Sequence, residues 1–509
     1  MRVFYDTPML LASLLLAAAL APAERVLARY DAHEAKRLVP MLSEVIRFPT
    51  YEHNIEAHAE QKAWLMKTAA DFGFVARDAG KITEIELPGP ANAPVLGLVI
   101  HGDVVPVDVE AWHFPPFEGR VEDGYVLGRG AADDKGPLIQ ALLAMKSLAE
   151  SGVARTHTIR LLIGSEEESA STEMAEYLKT HAPPDYSLVL DSLFPVVVGE
   201  KAWDGLAIAT TLAERDTSKP YVVHELAAGL AASIVPDRAE VKLRWREGTP
   251  DWTKMAAELR ATKMPEGTRI VVGEHDELLW VVAYGHSTHA GMNLEGGRNA
   301  LVALARALEG KLPRGGADDL LAFARLAGQD LHGTGLGIRD RDPIWGRYGV
   351  NVATVKPSKS DPAKKVLFIN LRRIPPRNAA QIRAHLETVV RDFNKRTGAA
   401  LAVLAEESYF EDEPLGFDPN AKIVKRLMSV YARATGEKNP KPAISGGGTY
   451  AKRLPNAIAF GMWFPDKPYP GHDLNEKIPI ADLERGARVL IHALVDIATG
   501  ARIEEAFRP

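Results

Sequence analysis

The sequence predicts an α/β protein in which a mostly parallel sheet carries an inserted α+β domain. Three observations support this fold class. Residues 95–100 form an uninterrupted apolar run, as in strands buried on both faces of a parallel sheet. Strand-like and helix-like segments alternate from residue 82 to residue 190, which is the pattern of an α/β layer fold. After Lys201 this alternation gives way to a self-contained mixture of strands and helices.

The first part of the chain supplies most of the predicted parallel sheet. Helical periodicity over 24–48 stops at Pro49, and an amphipathic helix over 58–72 stops at Gly73. The other predicted elements of this part are strands over 82–87, 95–100, 158–163 and 186–190, and helices over 138–148 and 172–180.

The middle of the chain predicts the inserted domain, after which the first domain resumes near Gly416. The middle elements are strands over 239–245, 279–282 and 366–371 and a helix over 299–308. The last elements are helices over 420–434 and 480–498 and a strand over 457–464. We therefore divide the chain into a main domain at 24–202 and 414–509 and an insertion at 203–413.

The composition of the chain argues against several classes of function. The 509 residues are 46% hydrophobic and 25% charged, as expected for a large folded core. A net charge of −6 argues against a nucleic-acid partner, which requires a basic surface. The chain has no cysteine, which excludes a thiolate nucleophile and a cysteine-ligated metal. Any metal ligands must therefore be histidine, aspartate or glutamate.

The N-terminus predicts a secretory signal peptide over residues 1–23. Arg2 precedes an apolar run over 9–21, and small residues suited to cleavage follow at 19–23. The run is too short for a comfortable membrane span. We therefore expect a periplasmic or secreted protein that has no membrane association after cleavage. The alternatives are an uncleaved anchor and a wrongly assigned start codon.

Candidate metal ligands follow the predicted strands of the main domain. His101 follows the strand over 95–100, the acidic residues 166–168 follow the strand over 158–163, and Asp191 follows the strand over 186–190. Asp133 at a helix start and His472 in a turn complete the set. The carboxyl ends of parallel strands meet at one edge of a sheet. Two histidines and three carboxylates suit a pair of divalent cations that share one carboxylate.

Two further acids have predicted supporting roles. Glu167 and Glu168 are adjacent, so one suits a general base and the other a ligand. Asp103 lies two residues after His101 and suits acceptance of the second imidazole N–H. The alternatives are that the acidic run is a solvated surface, or that its register is displaced by one residue towards Glu166.

Several motifs of the chain resemble the aminoacylase, carboxypeptidase and carnosinase metallopeptidase family. They occur in family-like order from about residue 30 to the C-terminus. They are His101-Gly102-Asp103-Val104-Val105-Pro106, the run 112–117, Gly128-Arg129-Gly130, Asp133-Asp134-Lys135-Gly136-Pro137 and Glu167-Glu168-Ser169. The bacterial dinuclear-zinc dipeptidase branch is the most similar, on Phe194-Pro195, Gly199-Glu200-Lys201 and Gly446-Gly447-Gly448-Thr449-Tyr450.

The resemblance implies a zinc-peptidase domain, an inserted lid and two zinc ions per subunit, with manganese or cobalt as alternatives. Asp133 would bridge the ions, His101 and Asp191 would bind one, and Glu168 and His472 would bind the other. Glu167 would be the general base and acid. Asp134 would cap its helix or support the ligands.

The resemblance also implies substrate contacts. His289 of the lid would stabilise the oxyanion, and the substrate carboxylate would be held by Arg372 and by the backbone of Gly446, Gly447, Gly448 and Thr449. Three departures affect lid contacts and specificity: Ser233 before the Ile-Val-Pro-Asp motif, Asn370 in place of aspartate, and Ala290-Gly291 after His289, where glycine and then a small residue are usual. The alternatives are a packing role for His289, a lid acid as the partner of Arg372 and a mere turn at the glycines.

The resulting expectation is a metal-dependent dipeptidase that acts as a monomer or homodimer on small peptides. In this reaction a metal-bridging water attacks the peptide carbonyl and Glu167 moves the proton. An N-acyl-amino-acid deacylase, a metallocarboxypeptidase and a non-catalytic peptide-binding relative are the alternatives.

Overall fold

The structure is a computed structural model that describes residues 20–169, 171–275 and 277–507. The α-helices are α1 (Pro22–Arg29), α2 (Ala35–Ile46), α3 (Ile55–Phe72), α4 (Lys135–Glu150), α5 (Glu173–Tyr177), α6 (Thr253–Arg260), α7 (Ala300–Ala307), α8 (Gly316–Ala327), α9 (Ala379–Thr397), α10 (Lys422–Thr435) and α11 (Ile480–Ala498).

The strands that precede the insertion are β1 (Val75–Ala79), β2 (Ile82–Leu87), β3 (Val95–His101), β4 (Arg120–Glu122), β5 (Tyr125–Leu127), β6 (Thr158–Gly164), β7 (Tyr186–Val189), β8 (Ser192–Leu193) and β9 (Val197–Glu200). Those of the insertion are β10 (Ala202–Thr211), β11 (Tyr221–Ala228), β12 (Arg238–Trp245), β13 (Arg269–His275), β14 (Leu278–Tyr284), β15 (Arg341–Asp342), β16 (Gly346–Arg347), β17 (Gly349–Pro357), β18 (Lys364–Arg373), β19 (Ala402–Val403) and β20 (Tyr409–Phe410). The last are β21 (Leu415–Gly416), β22 (Ala443–Ser445), β23 (Ala457–Ala459), β24 (Met462–Trp463) and β25 (Lys477–Pro479).

The central sheet of the main domain has the order β1-β2-β6-β3-β7-β23. The four strands β6, β3, β7 and β23 run parallel, whereas β1 and β2 are antiparallel additions at one edge. The predicted fold class, a mostly parallel sheet with an inserted α+β lid, is confirmed.

The parallel register positions the candidate site. β3 is buried from Leu96 onward, as its apolar sequence requires. Its last residue, His101, pairs with Gly164 at the end of β6. The segment after β6 therefore leaves the sheet beside His101, and the end of β7 lies on the other side of β3. Helix α4, buried along most of its length, packs against β3, α2 and α11.

The insertion forms its own antiparallel sheet with the order β13-β14-β12-β11-β17-β18-β10-β19. The sheet consists of two halves, because β11 and β17 pair only at Ala228 and Val355. One hydrophobic core draws on residues 26–198 and 415–507, and a second on residues 206–410. The boundaries of the lid, residues 203–413, remain a prediction from the sequence.

Three predicted elements differ from the structure. The helix over 24–48 is interrupted by a π-helical turn at Tyr30–Glu34. The helix over 172–180 is limited to α5. The strand over 457–464 is two strands, since Gly461 adopts φ +76° and β23 and β24 pair with different partners.

Residues 1–19 of the predicted signal peptide lie outside the described residues. Among the helices of the described residues, we find none with the length and apolarity needed to cross a membrane.

Candidate metal centre

The predicted ligands come from five separate segments that meet at the carboxyl edge of the central sheet. His101 ends β3, and Glu168 lies in the turn after β6. Asp191 follows β7, Asp133 lies just before α4, and His472 lies in the loop before β25. The imidazoles of both histidines are buried, and the Glu168 side chain is only 8% exposed.

Asp133 lies between the two histidines. Its Oδ1 is 2.9 Å from Nε2 of His101, and its Oδ2 is 3.3 Å from Nε2 of His472. Each histidine has a second carboxylate beside the same nitrogen. Asp191 is 3.9 Å from His101, and Glu168 is 2.6 Å from His472. The arrangement has a pseudo-symmetry in which one carboxylate serves two histidine–carboxylate pairs.

Two groups of side chains have donor atoms close enough to share a metal ion. In one, donor atoms of His101, Asp133 and Asp191 all lie within 4.8 Å of one another. In the other, Asp133 and His472 are joined by His289 at the same spacing. Glu168, the predicted fourth ligand of the second group, contacts His472 directly.

The charge of this cluster suits cations. The described lysines and arginines form no ion pair with Asp133, Glu168 or Asp191. Burial raises the pKa of Asp191 well above its usual range, and the carboxylates of Asp134 and Glu167 raise it further. Such a concentration of buried acids is unfavourable unless positive charge neutralises it. Divalent cations supply that charge, so the donor set fits metal binding.

Carboxylates raise the pKa of both histidines, and Asp133 acts on each of them. Burial alone would lower the pKa of His472, but Glu168 and Asp133 raise it to about 10. Burial likewise opposes the rise in the pKa of His101, which Asp103 and Asp133 hold well above the usual value. The cluster therefore attracts positive charge, which a metal ion provides in place of the imidazolium proton.

The side chains of the three consecutive glutamates at 166–168 lie in different environments. Glu167 and Glu168 line a cavity of about 30 Å³ that also contacts Asp133 and Asp191. Glu166 instead forms an ion pair with Lys81 at 2.8 Å and is absent from the cavity wall. This geometry supports the register in which Glu167 is the base. Burial raises the pKa of Glu167, as do the carboxylates of Glu168 and Asp103, whereas His101 opposes the rise.

The contacts of Asp103 differ from the predicted ones. Nδ1 of His101 lies 3.0 Å from the carbonyl oxygen of Asp103 and 3.5 Å from its carboxylate. The backbone is therefore the closer acceptor of the imidazole N–H. The carboxylate accepts the backbone N–H groups of Glu167 at 3.2 Å and Glu168 at 2.9 Å. Asp103 thus fixes the imidazole and the two acids relative to each other.

His289 reaches the site from the lid of the same chain. Its ring stacks on that of His472, with 4.2 Å between centroids. Its Nδ1 accepts the backbone N–H groups of Gly291 and Met292, which leaves the proton of the neutral ring on Nε2. Burial, together with His472 and Arg372, lowers the pKa of His289 well below its usual value. The imidazole is therefore a neutral hydrogen-bond donor.

Arg372 is a buried cation that forms no ion pair with the described residues. Nε donates to Asn370 and Nη1 donates to the carbonyl oxygen of Gly446, at 2.9 and 3.2 Å. The residue is 4% exposed, and burial lowers the pKa of its guanidinium to about 10. The predicted alternative, a lid acid as its partner, has no support in these contacts. Arg372 suits a carboxylate that arrives from outside.

Some backbone groups of the glycine-rich loop, residues 446–449, already form hydrogen bonds with other residues of the chain. Glu200 accepts both the backbone N–H and the hydroxyl of Thr449, and Ser445 accepts the N–H of Gly447. Of the backbone N–H groups predicted to bind substrate, those of Gly446 and Gly448 have no partner among the described residues. Gly447, Gly448 and Thr449 line the metal-site cavity.

Sequence reasoning missed Glu476. Its carboxylate accepts the backbone N–H groups of Gly130, Ala132 and Asp133 and pairs with Arg129 at 2.7 Å. It thereby fixes the loop that carries Asp133. The available signal was an acid four residues after His472, in a segment otherwise typical of a turn.

Asp134 and Tyr469 complete the surroundings of the site. Asp134 accepts the backbone N–H of His101 at 3.4 Å and makes no helix-capping hydrogen bond, so of its two predicted roles the structure favours support of a ligand. Tyr469, also missed, lines the cavity and packs edge-on against His289.

Comparisons with known proteins agree with this geometry. The sequence profile described as Peptidase family M20/M25/M40 matches residues 97–496. The Bacillus subtilis (strain 168) protein named "Putative dipeptidase YtjP" is 28% identical over 405 residues, which covers 79% of this chain and 83% of that protein.

Solved structures share the fold. Human carnosine dipeptidase 1 is 14% identical with a TM-score of 0.59, and the alignment covers 94% of this chain and 99% of that one. The dipeptidase Dug1p from Saccharomyces cerevisiae gives a TM-score of 0.58 at the same identity and coverage. At these identities the likeness supports the fold alone. The profile match spans most of the sequence, and the chain belongs to peptidase family M20/M25/M40.

Proposed function

We propose that the protein is a dipeptidase that depends on two divalent metal ions. One observation carries the proposal: each carboxylate oxygen of Asp133 faces a different histidine, and each histidine has a second carboxylate beside it. This donor set suits two ions that share one carboxylate, with a free acid, Glu167, in the same cavity.

The ligand roles follow from this arrangement. His101 and Asp191 would hold one ion, Glu168 and His472 the other, and Asp133 would bridge them. Nitrogen and oxygen donors suit zinc, with manganese or cobalt as alternatives. When bound, the ions supply Lewis-acid chemistry, which polarises the peptide carbonyl and lowers the pKa of water.

Glu167 moves the proton in this proposal. A carboxylate oxygen of Glu167 takes a proton from the attacking water and delivers it to the nitrogen of the leaving amine. The second half of this transfer requires the acid to hold the proton until the amine accepts it. Asp103 positions Glu167 through the hydrogen bond to its backbone N–H.

His289 and Arg372 orient the substrate. The Nε2–H of His289 donates to the carbonyl oxygen that becomes negative during attack. Arg372, without a counter-ion among the described residues, binds the substrate α-carboxylate, and the free N–H groups of Gly446 and Gly448 assist.

Three observations favour a short substrate. His289 and Arg372 both come from the lid, so one domain contacts both the scissile carbonyl and the C-terminal carboxylate, which lie close together in a short substrate. The metal-site cavity of about 30 Å³ has room for about one water molecule, so substrate entry requires the lid to open. The names of the relatives supply the same substrate class.

We also propose export, with removal of the signal segment, and a monomer as the active unit, because His289 reaches the site of its own chain. N-terminal sequencing of the mature protein tests the first proposal. Constant specific activity on dilution into the nanomolar range tests the second, and a loss of activity on dilution would favour a required homodimer.

The decisive experiment measures metal content and hydrolysis by the purified mature chain. We expect about two metal ions per chain and turnover of unblocked dipeptides such as Ala-Ala. N-acetyl amino acids test the deacylase alternative, and longer peptides test the carboxypeptidase alternative. Faster cleavage of either than of every dipeptide would overturn the proposed specificity, and metal binding without any turnover would favour a non-catalytic relative.

A further inference from the structure

A second cavity lies next to the metal centre and is ten-fold larger than the one that contacts the ligands. Its volume is about 290 Å³, against about 30 Å³ for the metal-site cavity. Pockets for small ligands begin at about 300 Å³, so this one suits a single amino-acid residue better than a long peptide. Its wall is formed by the lid and by Lys201, at the junction between β9 and β10.

Arg372 connects this cavity to the reaction centre. The guanidinium lines the larger cavity, and Nη1 reaches the carbonyl oxygen of Gly446, next to the glycines that line the smaller one. Gly291, which lines the larger cavity, touches Gly446 through its backbone, and Gly447 and Gly448 line the smaller one. A substrate whose α-carboxylate is bound by Arg372 therefore has its C-terminal residue in or beside the larger cavity.

The charged residues that line this cavity are mainly cationic. Lys201, Arg347 and Arg372 contribute three positive charges, whereas Glu295 contributes the one carboxylate among the described lining residues. Arg347 is exposed and forms no ion pair with the described residues. Lys201 donates to the carbonyl oxygen of Arg347 at 2.6 Å, which still leaves two ammonium hydrogens. The three cations and one carboxylate leave a formal net charge of +2 on the wall, and an α-carboxylate supplies only one negative charge.

We infer that this cavity, which we call the cationic cavity, is the subsite for the C-terminal residue of the substrate and selects an acidic side chain there. Dipeptides that end in glutamate or aspartate are then the preferred class. Arg372 would bind the α-carboxylate, and Lys201 with Arg347 would bind the side-chain carboxylate. The inference rests on the proposed dipeptidase function, which supplies the substrate's orientation.

Kinetics with isosteric substrates test the inference. We expect kcat/KM for Ala-Glu to exceed that for Ala-Gln by about tenfold, since the two differ only in charge at the side-chain carboxyl. Arg347→Met should reduce this ratio to within about threefold of unity. Arg341→Met is the matched control, because Arg341 pairs with Arg347 across the same hairpin but lies outside the cationic cavity, and it should keep the wild-type ratio.

A second variant has the opposite expected sign. Glu295→Gln removes the carboxylate of the wall and should raise the Ala-Glu to Ala-Gln ratio severalfold. Equal kcat/KM values for Ala-Glu and Ala-Gln in the wild type would overturn the inference and leave the dipeptidase function intact. A preference for Ala-Lys over both would overturn it as well, with Glu295 as the dominant charge.

Binding separates failure of the inference from failure of the proposed function. Calorimetry on the metal-loaded chain compares free L-glutamate with L-glutamine, which requires no catalysis. We expect glutamate to bind about tenfold more tightly, and Arg347→Met to abolish the difference. If no dipeptide is cleaved but glutamate is preferred, the dipeptidase function fails and the acid-selective cavity stands. Equal binding of the two amino acids overturns the cavity's selectivity whatever the activity.

Discussion

Glu166 and Glu167 are adjacent and carry the same side chain, but only Glu167 lies in the proposed active site. Glu167 lines the metal-site cavity, whereas the Glu166 carboxylate pairs with Lys81 at 2.8 Å. We expect Glu167→Gln to lower kcat by a factor of about 10² to 10⁴, because an amide cannot accept the proton of the attacking water. Metal content should stay near the wild-type value, since Glu167 is not a proposed ligand.

Glu166→Gln is the matched control for that experiment. It removes the same charge one residue away and breaks only a surface ion pair, which is worth at most about 1 kcal/mol. We expect its kcat to remain within a few-fold of the wild type. A larger loss in Glu166→Gln than in Glu167→Gln would mean that the base has been assigned to the wrong acid.

Glu200 gives a prediction about pH. Burial raises the pKa of Glu200 from 4.5 to about 7, and Lys452 and the hydrogen bonds from Thr449 oppose this rise. The unfolded chain therefore loses the proton near pH 4.5, while the folded chain keeps it until about pH 7. Over this window the free energy of unfolding of the wild type falls relative to a variant that lacks the titrating group.

We therefore expect Glu200→Gln to gain stability relative to the wild type as pH rises from 4.5 to 7, by roughly 3 kcal/mol in total. Above pH 7 the difference should stay constant. Urea unfolding of both proteins at several pH values measures it. A difference that is independent of pH would show that Glu200 is charged throughout this range in the folded protein.

At the scale of elements, the strands that support the site were the easiest to predict. β3 and β6 are apolar runs whose ends coincide with His101 and the acidic turn, so local pattern and site chemistry indicate the same boundary. By contrast, all three residues of β4 are exposed, and the sheet that it shares depends on pairing between Leu127 and Lys477. Local periodicity contains no information about such distant partners.

The same reason explains why Glu476 escaped prediction. Its partners, residues 129–133, are more than 340 positions away in sequence, and its importance appears only when that loop folds around its carboxylate. His101 and Asp191 were predictable because strand ends converge by topology. Glu476 acts through a loop, whose course the sequence pattern does not specify.

The contact between the lid and the glycine-rich loop gives a prediction about closure. A Cβ atom on Gly446 would lie 1.8 Å from the carbonyl oxygen of Gly291, which no real structure tolerates. Gly446→Ala must therefore displace the lid from the position that brings His289 to the site. We expect kcat/KM to fall by at least about 100-fold, since the lost oxyanion donor alone is worth that much.

Two measurements distinguish this effect from a general loss of structure. Metal content should be unchanged in Gly446→Ala, because the proposed ligands all belong to the main domain. Gly273→Ala is the control within the lid sheet, since a Cβ there would meet its nearest neighbour, Trp280, at an ordinary 3.4 Å. Activity of Gly446→Ala close to that of Gly273→Ala would contradict the closed position of the lid.

At the scale of the whole molecule, the proposed ligands span the main domain and no part of the lid. They lie between residues 101 and 472, with the insertion between Asp191 and His472. A metal pair would therefore link both parts of the main-domain chain, which share one hydrophobic core, and leave the core of the lid untouched. Metal binding should therefore stabilise the core of the main domain and leave the stability of the lid core nearly unchanged.

Removal of metal by a chelator tests this coupling. Ions that bind only the folded main domain stabilise it by about 2.7 kcal/mol at 100 times their Kd. For a domain of this size that corresponds to a fall in Tm of roughly 5–10 °C when the metal is removed. We expect differential scanning calorimetry to show two transitions, of which only the main-domain transition shifts when a chelator is added.

Asp133→Asn provides the control, because an amide is a poor bridge between two cations and its main-domain transition should no longer respond to the chelator. The lid transition should be the same in both proteins, with and without metal. A single transition that shifts as a whole would mean that the lid and the main domain unfold as one cooperative unit. A wild-type main-domain transition that ignores the chelator would argue against metal at Asp133, since ligands from five separate segments cannot bind ions without stabilising the fold that assembles them.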